Sequence, residues 1–338
     1  MLSSRSILLS IVMPVYNKAE YVSRCLHSIL DQDYTDYELI IVNDGSTDSS
    51  ADIIRSFTDS RIKLLTTTNQ GVSAARNRGM AEAKGEYLMF IDADDYISPH
   101  YLGHIMQQAE ANKADLYVWG ITKDFTDGRQ VPKVPKTQGL LKSADFLHEM
   151  VEEQYRRHVG IMGYISNKLI RHDIVESHHI QFDTDKRLME DYDFFLSYYA
   201  HVQTVYFFDE RGYHYVEHPP VANSHKVDYL SLIDTHHHCL LLTPNSAEAD
   251  LDNRTVLQAI GKLTLAMFLE LKPVTFAHVG QLLSTIDQHS FCKDGLRMIH
   301  PKQRRLRQWL LTGSRFCTYA YLKYRHLYFT FREKVSLS

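Results

Sequence analysis

The sequence has 338 residues, of which 44% are hydrophobic, and a formal net charge of −4. This length exceeds one small domain and fits one large folded domain with an additional region. The overall charge by itself gives no sign of a nucleic-acid partner. Because no run of eighteen apolar residues occurs, we expect no helix that spans a bilayer.

The cysteines and the N-terminal segment bear on the compartment of the protein. The cysteines are widely spaced and form no CxxC pair, which predicts reduced thiols in a cytosolic protein. Residues 1–17 are similar to a short signal peptide, with Arg5 before an apolar stretch. Pro14 and Asn17 interrupt that stretch, and we therefore interpret it as a first core strand.

Strand and helix patterns alternate through the first 120 residues. The predicted strands are 7–15, 38–42, 61–67, 86–95 and 114–120. The predicted helices are 20–30, a segment capped by Ser49 or Ser50 that runs to Phe57, 73–83, and a segment capped by Ser98. This alternation predicts an α/β fold with a mainly parallel central sheet and helices on both faces.

The pattern changes after residue 125. Residues 125–139 contain two prolines and two glycines, which predicts a loop or a hairpin. A mixed region follows to about residue 225. Amphipathic patterns then predict a helical C-terminal region, with helices at 230–242, 254–271 and 279–286.

Three aspartates, Asp92, Asp94 and Asp95, end the fourth predicted strand. Two carboxylates held close together require a cation, a proton or an arginine to neutralise them. Their oxygen atoms suit Mg²⁺ or Mn²⁺. The alternative is an ordinary turn whose aspartates cap the next helix, as we expect for Asp95.

Two further segments have the character of a nucleotide site. Asp44 ends the second predicted strand, where its carboxylate can accept a hydrogen bond from a uracil imide, although an Asp-Gly turn needs no ligand. Behind Gly71, a predicted helix N-terminus carries Arg76 and Arg78, a combination that favours a diphosphate. The alternative is a capped amphipathic helix with no ligand.

Five segments, in this order and spacing, resemble the inverting glycosyltransferases of family 2, of the bacterial surface-polysaccharide type. They are SIVMPVYN, ELIIVNDGSTDSS, NQGVSAARNRG, GEYLMFIDADD and EDYDFF, within a resemblance that covers residues 7–225. The resemblance implies the Rossmann-like GT-A fold. It also implies a catalytic domain over 1–226, divided into a nucleotide-binding part (1–110) and an acceptor-binding part (111–226), followed by a helical region over 227–338.

The resemblance also implies roles for individual residues. Asp94, together with Asp92, would hold Mn²⁺ or Mg²⁺ against the two phosphates, and His218 or His225 would be a third ligand. Pro219-Pro220 departs from the family's pattern at that point. The residues implied to bind the nucleotide sugar are Pro14, Val15, Tyr16, Asn17, Asp44, Asn69, Gly71, Arg76, Asp92 and Ala93.

The EDYDFF segment would supply the base that activates the acceptor hydroxyl. The family's base corresponds to Asp191, and Glu190 would shape the site or contact the acceptor. Asp193 is an alternative base. Without the resemblance, these acids are also typical of the first turn of a helix, where the helix dipole favours them.

We therefore expect a metal-dependent, inverting hexosyltransferase. It would move a hexose or N-acetylhexosamine from a UDP-sugar to a hydroxyl of a glycan or lipid-linked glycan, in capsule, lipopolysaccharide or other surface-polysaccharide synthesis. The alternative is a catalytically silent nucleotide-sugar-binding or scaffold protein.

The C-terminal segment 296–338 interleaves aromatic and basic residues. It carries a formal charge of +9, against −13 for residues 1–295. Such a segment favours an anionic membrane surface, and we expect a cytoplasmic protein attached to the inner face of the membrane. Nucleic-acid binding, which we do not expect, and a helical cap on the catalytic domain are the alternatives. A homodimer that forms through these helices is a further alternative.

Overall fold

The computed structural model describes residues 9–157, 159–186, 188–218, 228–242, 247–269, 275–299 and 304–323. The chain divides into two compact units, residues 1–224 and 225–338. His225, one of the two predicted histidine ligands, lies outside the described residues.

Two sheets form the first unit. The strands are β1 (Leu9–Val15), β2 (Tyr37–Asp44), β3 (Ile62–Thr67), β4 (Tyr87–Phe90), β5 (Tyr96–Ile97), β6 (Leu116–Val118), β7 (Ile121–Asp124), β8 (Gln130–Lys133), β9 (Gly139–Lys142), β10 (Lys168–Arg171), β11 (Thr204–Phe207) and β12 (Tyr213–Val216). The large sheet has the order β3-β2-β1-β4-β10-β6-β11-β9, and the small sheet has the order β5-β12-β7-β8.

The half of the large sheet formed by the first four strands of the chain is parallel, as the βα alternation predicts. Strands β3, β2, β1 and β4 all run in the same direction. Every residue of β1 and β2 is buried, which explains their continuous apolar character. Strand β10 joins this half to β6 and is antiparallel to both of its neighbours.

Helices cover the sheet. In the first unit they are α1 (Val22–Leu30), α2 (Ser50–Arg55), α3 (Val72–Met80), α4 (Tyr101–Asn112), α5 (Ser143–Val151), a π-helical turn (Glu152–Arg156), α6 (His172–Ser177) and α7 (Glu190–Tyr199). The prediction that Ser98 caps the fourth helix is wrong. Helix α4 begins three residues later, after His100, which has a positive φ of 65°.

Strand β5 of the small sheet belongs to the segment that follows β4. Strands β7 and β8 pair antiparallel, so the segment predicted as a loop or a hairpin contains the turn and second strand of a hairpin. Strand β12 pairs with β5, which directly follows the aspartate cluster. Asp95 accepts hydrogen bonds from the Tyr213 hydroxyl at 2.6 Å and the Val216 amide at 2.8 Å. Asp95 therefore joins the cluster to β12 and caps no helix.

The second unit is helical in all of its described parts. Its helices are α8 (Tyr229–Leu242), α9 (Ala247–Leu269), α10 (Phe276–Gln288), α11 (Ser290–Met298) and α12 (Arg304–Leu311). Gly261 of α9 faces Gly295 of α11 so closely that a Cβ on Gly261 would lie 2.2 Å from the Gly295 carbonyl oxygen. Within the described ranges, no helix is long and apolar enough to cross a membrane.

Candidate active site

A cavity of about 510 Å³ opens where β1, β2 and β4 reach their carboxyl ends. Such edges of parallel sheets are the usual ligand sites of α/β folds. The residues that line the cavity are Pro14, Val15, Tyr16, Lys18, Asp44, Asn69, Gly71, Val72, Ala75, Arg76, Asp92, Ala93 and Asp94. This set contains every residue that the resemblance assigned to the nucleotide sugar except Asn17.

Asn17 is engaged outside the cavity. Its side-chain oxygen accepts a hydrogen bond from the Thr47 amide at 2.8 Å, and its own amide donates to the Ser46 hydroxyl at 3.1 Å. Its backbone has a positive φ of 52°, a conformation that asparagine tolerates better than most residues. In this structure Asn17 therefore fixes the turn between β1 and α1 against the loop after β2.

Asp44 organises one wall of the cavity. One carboxylate oxygen accepts from the Gln70 amide at 2.9 Å, and the other accepts from the Gly71 amide at 2.8 Å. The next residue, Gly45, has a positive φ of 69°, and a Cβ there would lie 2.7 Å from the Asn69 amide nitrogen. The Asp-Gly pair thus holds the loop that leads into α3.

Arg76 of α3 gathers three carboxylates at the inner end of the cavity. Its guanidinium donates to Asp191 at 2.5 Å and to Asp92 at 3.0 Å, and it lies 3.7 Å from Glu190. The Arg76 side chain is only 4% exposed. Burial alone would lower its pKa, but Asp191, Asp92 and Glu190 outweigh burial and raise the pKa, so the cation persists.

This arrangement brings Asp92, of the aspartate cluster after β4, close to the EDYDFF segment. The two segments are about a hundred residues apart in sequence. The Arg76 Nε is buried and has no hydrogen-bond partner among the described residues. Buried donors without partners are uncommon in folded proteins and mark positions that a ligand or water can satisfy.

Asp191 has the electrostatics of a proton acceptor. Burial raises its pKa to about 7, with further upward contributions from Glu190 and Asp92, while Arg76 and Lys168 oppose the shift. A pKa near the operating pH is the optimum for general base catalysis. The alternative base, Asp193, is instead paired with Lys186 at 2.8 Å.

Asp94 lies between two basic side chains. Its Oδ2 atom is 2.5 Å from the Lys18 ammonium and 3.2 Å from the His218 Nε2. The His218 Nε2 is buried and makes no hydrogen bond of acceptable geometry within the described part of the chain. Asp94 and His218 are therefore direct neighbours, and Asp92 lines the same cavity as Asp94.

Two lysines near the site were not assigned by the sequence analysis. Lys18 lines the cavity, whereas Lys168 is held by hydrogen bonds within the protein. A lysine after the PVYN segment has no pattern that distinguishes it from a solvated surface residue. Lys168 is buried and donates to the Ile161 and Tyr164 carbonyls and to Asn167. Burial lowers the pKa of Lys168 well below its usual value.

Comparison with known proteins decides the family. The family model described as Glycosyl transferase family 2 matches residues 10–178, half of the chain. The chain belongs to glycosyltransferase family 2. The match ends before the EDYDFF segment, so the comparison leaves the roles of Glu190 and Asp191 as predictions.

Individual relatives of this family-2 protein agree with that assignment. It is 33% identical over 234 residues to the uncharacterized glycosyltransferase EpsJ of Bacillus subtilis, covering 68% of this chain and 66% of EpsJ. It is 31% identical over 225 residues to the poly(ribitol-phosphate) beta-glucosyltransferase of Bacillus spizizenii, covering 63% of this chain and 34% of that protein. The chain thus spans two thirds or less of these curated relatives.

A solved structure confirms the GT-A fold with a helical C-terminal region. The crystal structure of S. aureus TarS 1-349 in complex with UDP-GlcNAc superimposes with a TM-score of 0.70 at 19% identity. The match covers 94% of this chain and 92% of the TarS fragment. At this identity, the likeness concerns the fold alone.

Proposed function

We propose that this family-2 glycosyltransferase inverts the anomeric centre as it moves a hexose or N-acetylhexosamine from a UDP-sugar to a hydroxyl group. The acceptor would be a glycan or lipid-linked glycan in surface-polysaccharide synthesis. The observation that carries the proposal is the Arg76 cluster, because it connects the cavity carboxylate Asp92 to the expected base Asp191.

The donor assignment rests on the cavity. Its volume of about 510 Å³ is within the range of small-molecule sites. Asp44, which would bind the base, and the α3 N-terminus at Gly71, which would bind phosphate, both line it. The TarS structures in complex with UDP and with UDP-GlcNAc support a uridine nucleotide donor by analogy of fold.

The residues present fit a divalent cation. Asp92 and Asp94 offer hard oxygen ligands, and the buried His218 Nε2, 3.2 Å from the Asp94 Oδ2, offers a nitrogen ligand. When bound, Mn²⁺ or Mg²⁺ would neutralise negative charge on the departing diphosphate. We assign Asp94 and Asp92 to this site, with His218 as the third ligand.

Asp191 would accept the proton of the acceptor hydroxyl. Electrons from that hydroxyl oxygen form the new bond to the sugar's anomeric carbon, on the face opposite the diphosphate. The bond between that carbon and the diphosphate oxygen breaks, and the electron pair leaves with UDP. Glu190, 3.7 Å from Arg76, would hold the guanidinium in place while Asp191 changes its charge.

The C-terminal segment would place the enzyme on its lipid-linked substrate. Its charge of +9 favours an anionic membrane surface. Most of this segment's aromatic and basic character lies at residues 304–334, of which the structure describes 304–323. We propose attachment to the inner face of the membrane on this basis.

The assay that tests the function measures UDP released from a panel of UDP-sugars, with and without Mn²⁺ and with candidate acceptors. We expect Mn²⁺-dependent release for the wild-type protein and none for Asp94→Ala, because that variant loses a carboxylate of the cation site. Release by Asp94→Ala at the wild-type rate would contradict the metal assignment. Binding of UDP-sugars without any turnover would favour the silent binding protein.

A further inference from the structure

Lys18 is the basic side chain of the cavity that the sequence analysis did not assign. Its ammonium lies 2.5 Å from the Asp94 Oδ2, and its side chain is 32% exposed. It lines the cavity together with the residues expected to bind the nucleotide sugar. Within the described residues, Asp94 is the ion-pair partner assigned to it.

The backbone of Lys18 is held by hydrogen bonds that do not involve its side chain. The Lys18 amide donates to the Ser50 hydroxyl at 2.8 Å, and its carbonyl accepts from the Tyr21 and Val22 amides at 2.9 Å. The Lys18 carbonyl therefore accepts hydrogen bonds from the backbone amides at the start of α1. A substitution that changes only the side chain leaves all of these bonds in place.

Arg76, the other cation of the cavity, already has its charge balanced by carboxylates. It is buried and engaged with Asp92, Asp191 and Glu190. The Lys18 ammonium, in contrast, is paired with the Asp94 carboxylate, which the proposed function assigns to a divalent cation. An ammonium and a divalent cation that share one carboxylate repel each other. This repulsion favours a position of the Lys18 ammonium away from Asp94 when that carboxylate holds the cation.

We propose that Lys18 is a further donor-binding residue, which exchanges Asp94 for the diphosphate of the donor. This inference rests on the proposed function. In the free protein, the Lys18 ammonium neutralises the Asp94 carboxylate. This pairing reduces the electrostatic repulsion between Asp94 and the neighbouring carboxylates. In the loaded protein, its ammonium turns on its flexible stem to the anion that enters the same cavity.

This exchange has a consequence for bond cleavage. The diphosphate of a UDP-sugar carries two negative charges, whereas released UDP carries about three at neutral pH because its terminal phosphate has a pKa near 6. The leaving group therefore gains roughly one charge as the bond breaks. Lys18 would stabilise that charge electrostatically without transferring a proton.

The test compares Lys18→Met and Lys18→Arg by calorimetry, using Mn²⁺ alone and then UDP in the presence of saturating Mn²⁺. Lys18→Met removes the competitor for Asp94, so Mn²⁺ alone should bind about tenfold more tightly. The same variant loses the contact to the diphosphate, so UDP should bind about tenfold more weakly. Lys18→Arg should keep most of the UDP affinity.

Lys63→Met is the matched control, because Lys63 pairs with Glu82 at 2.6 Å and does not line the cavity. It should leave both affinities unchanged. A Lys18→Met protein that binds both Mn²⁺ and UDP more weakly, or both as tightly as the wild type, would overturn the Lys18 assignment alone. A wild-type protein that binds neither would instead overturn the proposed function itself, and the Lys18 inference with it.

Discussion

Asp191 combines two properties that are seldom found together, a direct ion pair and a raised pKa. The Arg76 guanidinium at 2.5 Å would by itself lower the pKa, but burial and the neighbouring acids prevail and bring it to about 7. The balance means that the side chain can release and take up a proton near neutral pH.

Replacement of this residue tests its role. Asp191→Asn keeps the size and the hydrogen-bonding reach to Arg76 but cannot accept a proton, so turnover should fall by about 10²–10⁴-fold. UDP affinity should change little, because the residue does not line the cavity in which we propose that UDP binds. The measurement is steady-state turnover beside calorimetric UDP binding, and equal losses in both would contradict the assignment.

Asp193→Asn is the control for that experiment. Asp193 lies on the same helix, two residues further, and is paired with Lys186. Its removal should lower turnover far less than Asp191→Asn does. The opposite ranking would show that the base is Asp193, the alternative that the sequence leaves open.

The pH dependence follows from the same pKa. A general base acts in its deprotonated form, so the maximal rate should rise as pH increases through about 7 and level off above it. A pH–rate profile of the wild-type protein, at saturating donor and acceptor, measures this rise. A rate that is flat between pH 5.5 and 8.5 would contradict a base with this pKa.

Sequence reasoning at the scale of residues found the acids but not their connections. Asp92, Asp94 and Asp191 stand in recognisable segments, so pattern alone points to them. The Arg76 contacts to Asp92 and Asp191 depend on how α3 and α7 approach each other, which no local pattern encodes. Asn17 also belongs to a recognisable segment, yet its side chain accepts a hydrogen bond from the Thr47 amide in the loop after β2.

At the scale of elements, Gly45 determines how closely the β2–α2 loop approaches the segment before α3. Gly45→Ala places a methyl group 2.7 Å from the Asn69 amide nitrogen, in addition to the strain of its positive φ. We expect it to lower the free energy of unfolding by about 1–3 kcal/mol more than Gly128→Ala does.

Gly128 is the appropriate reference because it also has a positive φ, of 85°, but has open space around its Cβ position. Denaturant titrations of both variants measure the difference, and UDP affinity should fall for Gly45→Ala alone. Equal unfolding free energies for the two variants would contradict the packing argument.

The sequence predicts the elements of the first 120 residues well and those after them poorly. Strands β1, β2 and β4 are fully buried and largely apolar, so the sequence indicates them clearly, whereas β3 is only partly buried. The segment predicted as a loop or a hairpin contains the turn and the second strand of the β7–β8 pair. Strand β10 is four residues long, and its insertion between β4 and β6 depends on tertiary packing. Helix α4 begins later than its Ser98-Pro99 signal indicates, because His100 adopts the left-handed conformation.

At the scale of the whole molecule, the uneven charge predicts how the protein meets a surface. We expect the combined variant Lys323→Gln, Arg325→Gln, Arg332→Gln, Lys334→Gln to bind vesicles of anionic lipid roughly a hundredfold or more weakly, at about 1 kcal/mol per charge. Substitution is preferable to deletion of 300–338, because Leu306 and Leu310 of α12 are fully buried.

Sedimentation with vesicles measures this binding, and turnover of a soluble acceptor is the control, which should be unchanged. Unaltered vesicle binding would argue against the membrane role of the segment and favour a helical cap.

The central claim is that acids at neighbouring strand ends hold a divalent cation, which carries UDP in the cavity beside Arg76. A crystal structure of the protein soaked with UDP and Mn²⁺ tests it most directly. We expect the uracil beside Asp44, Mn²⁺ on the Asp94 carboxylate, and the Lys18 ammonium moved from Asp94 to the diphosphate. UDP bound elsewhere on the protein, or in the cavity with no Mn²⁺ beside Asp92 and Asp94, would contradict the claim.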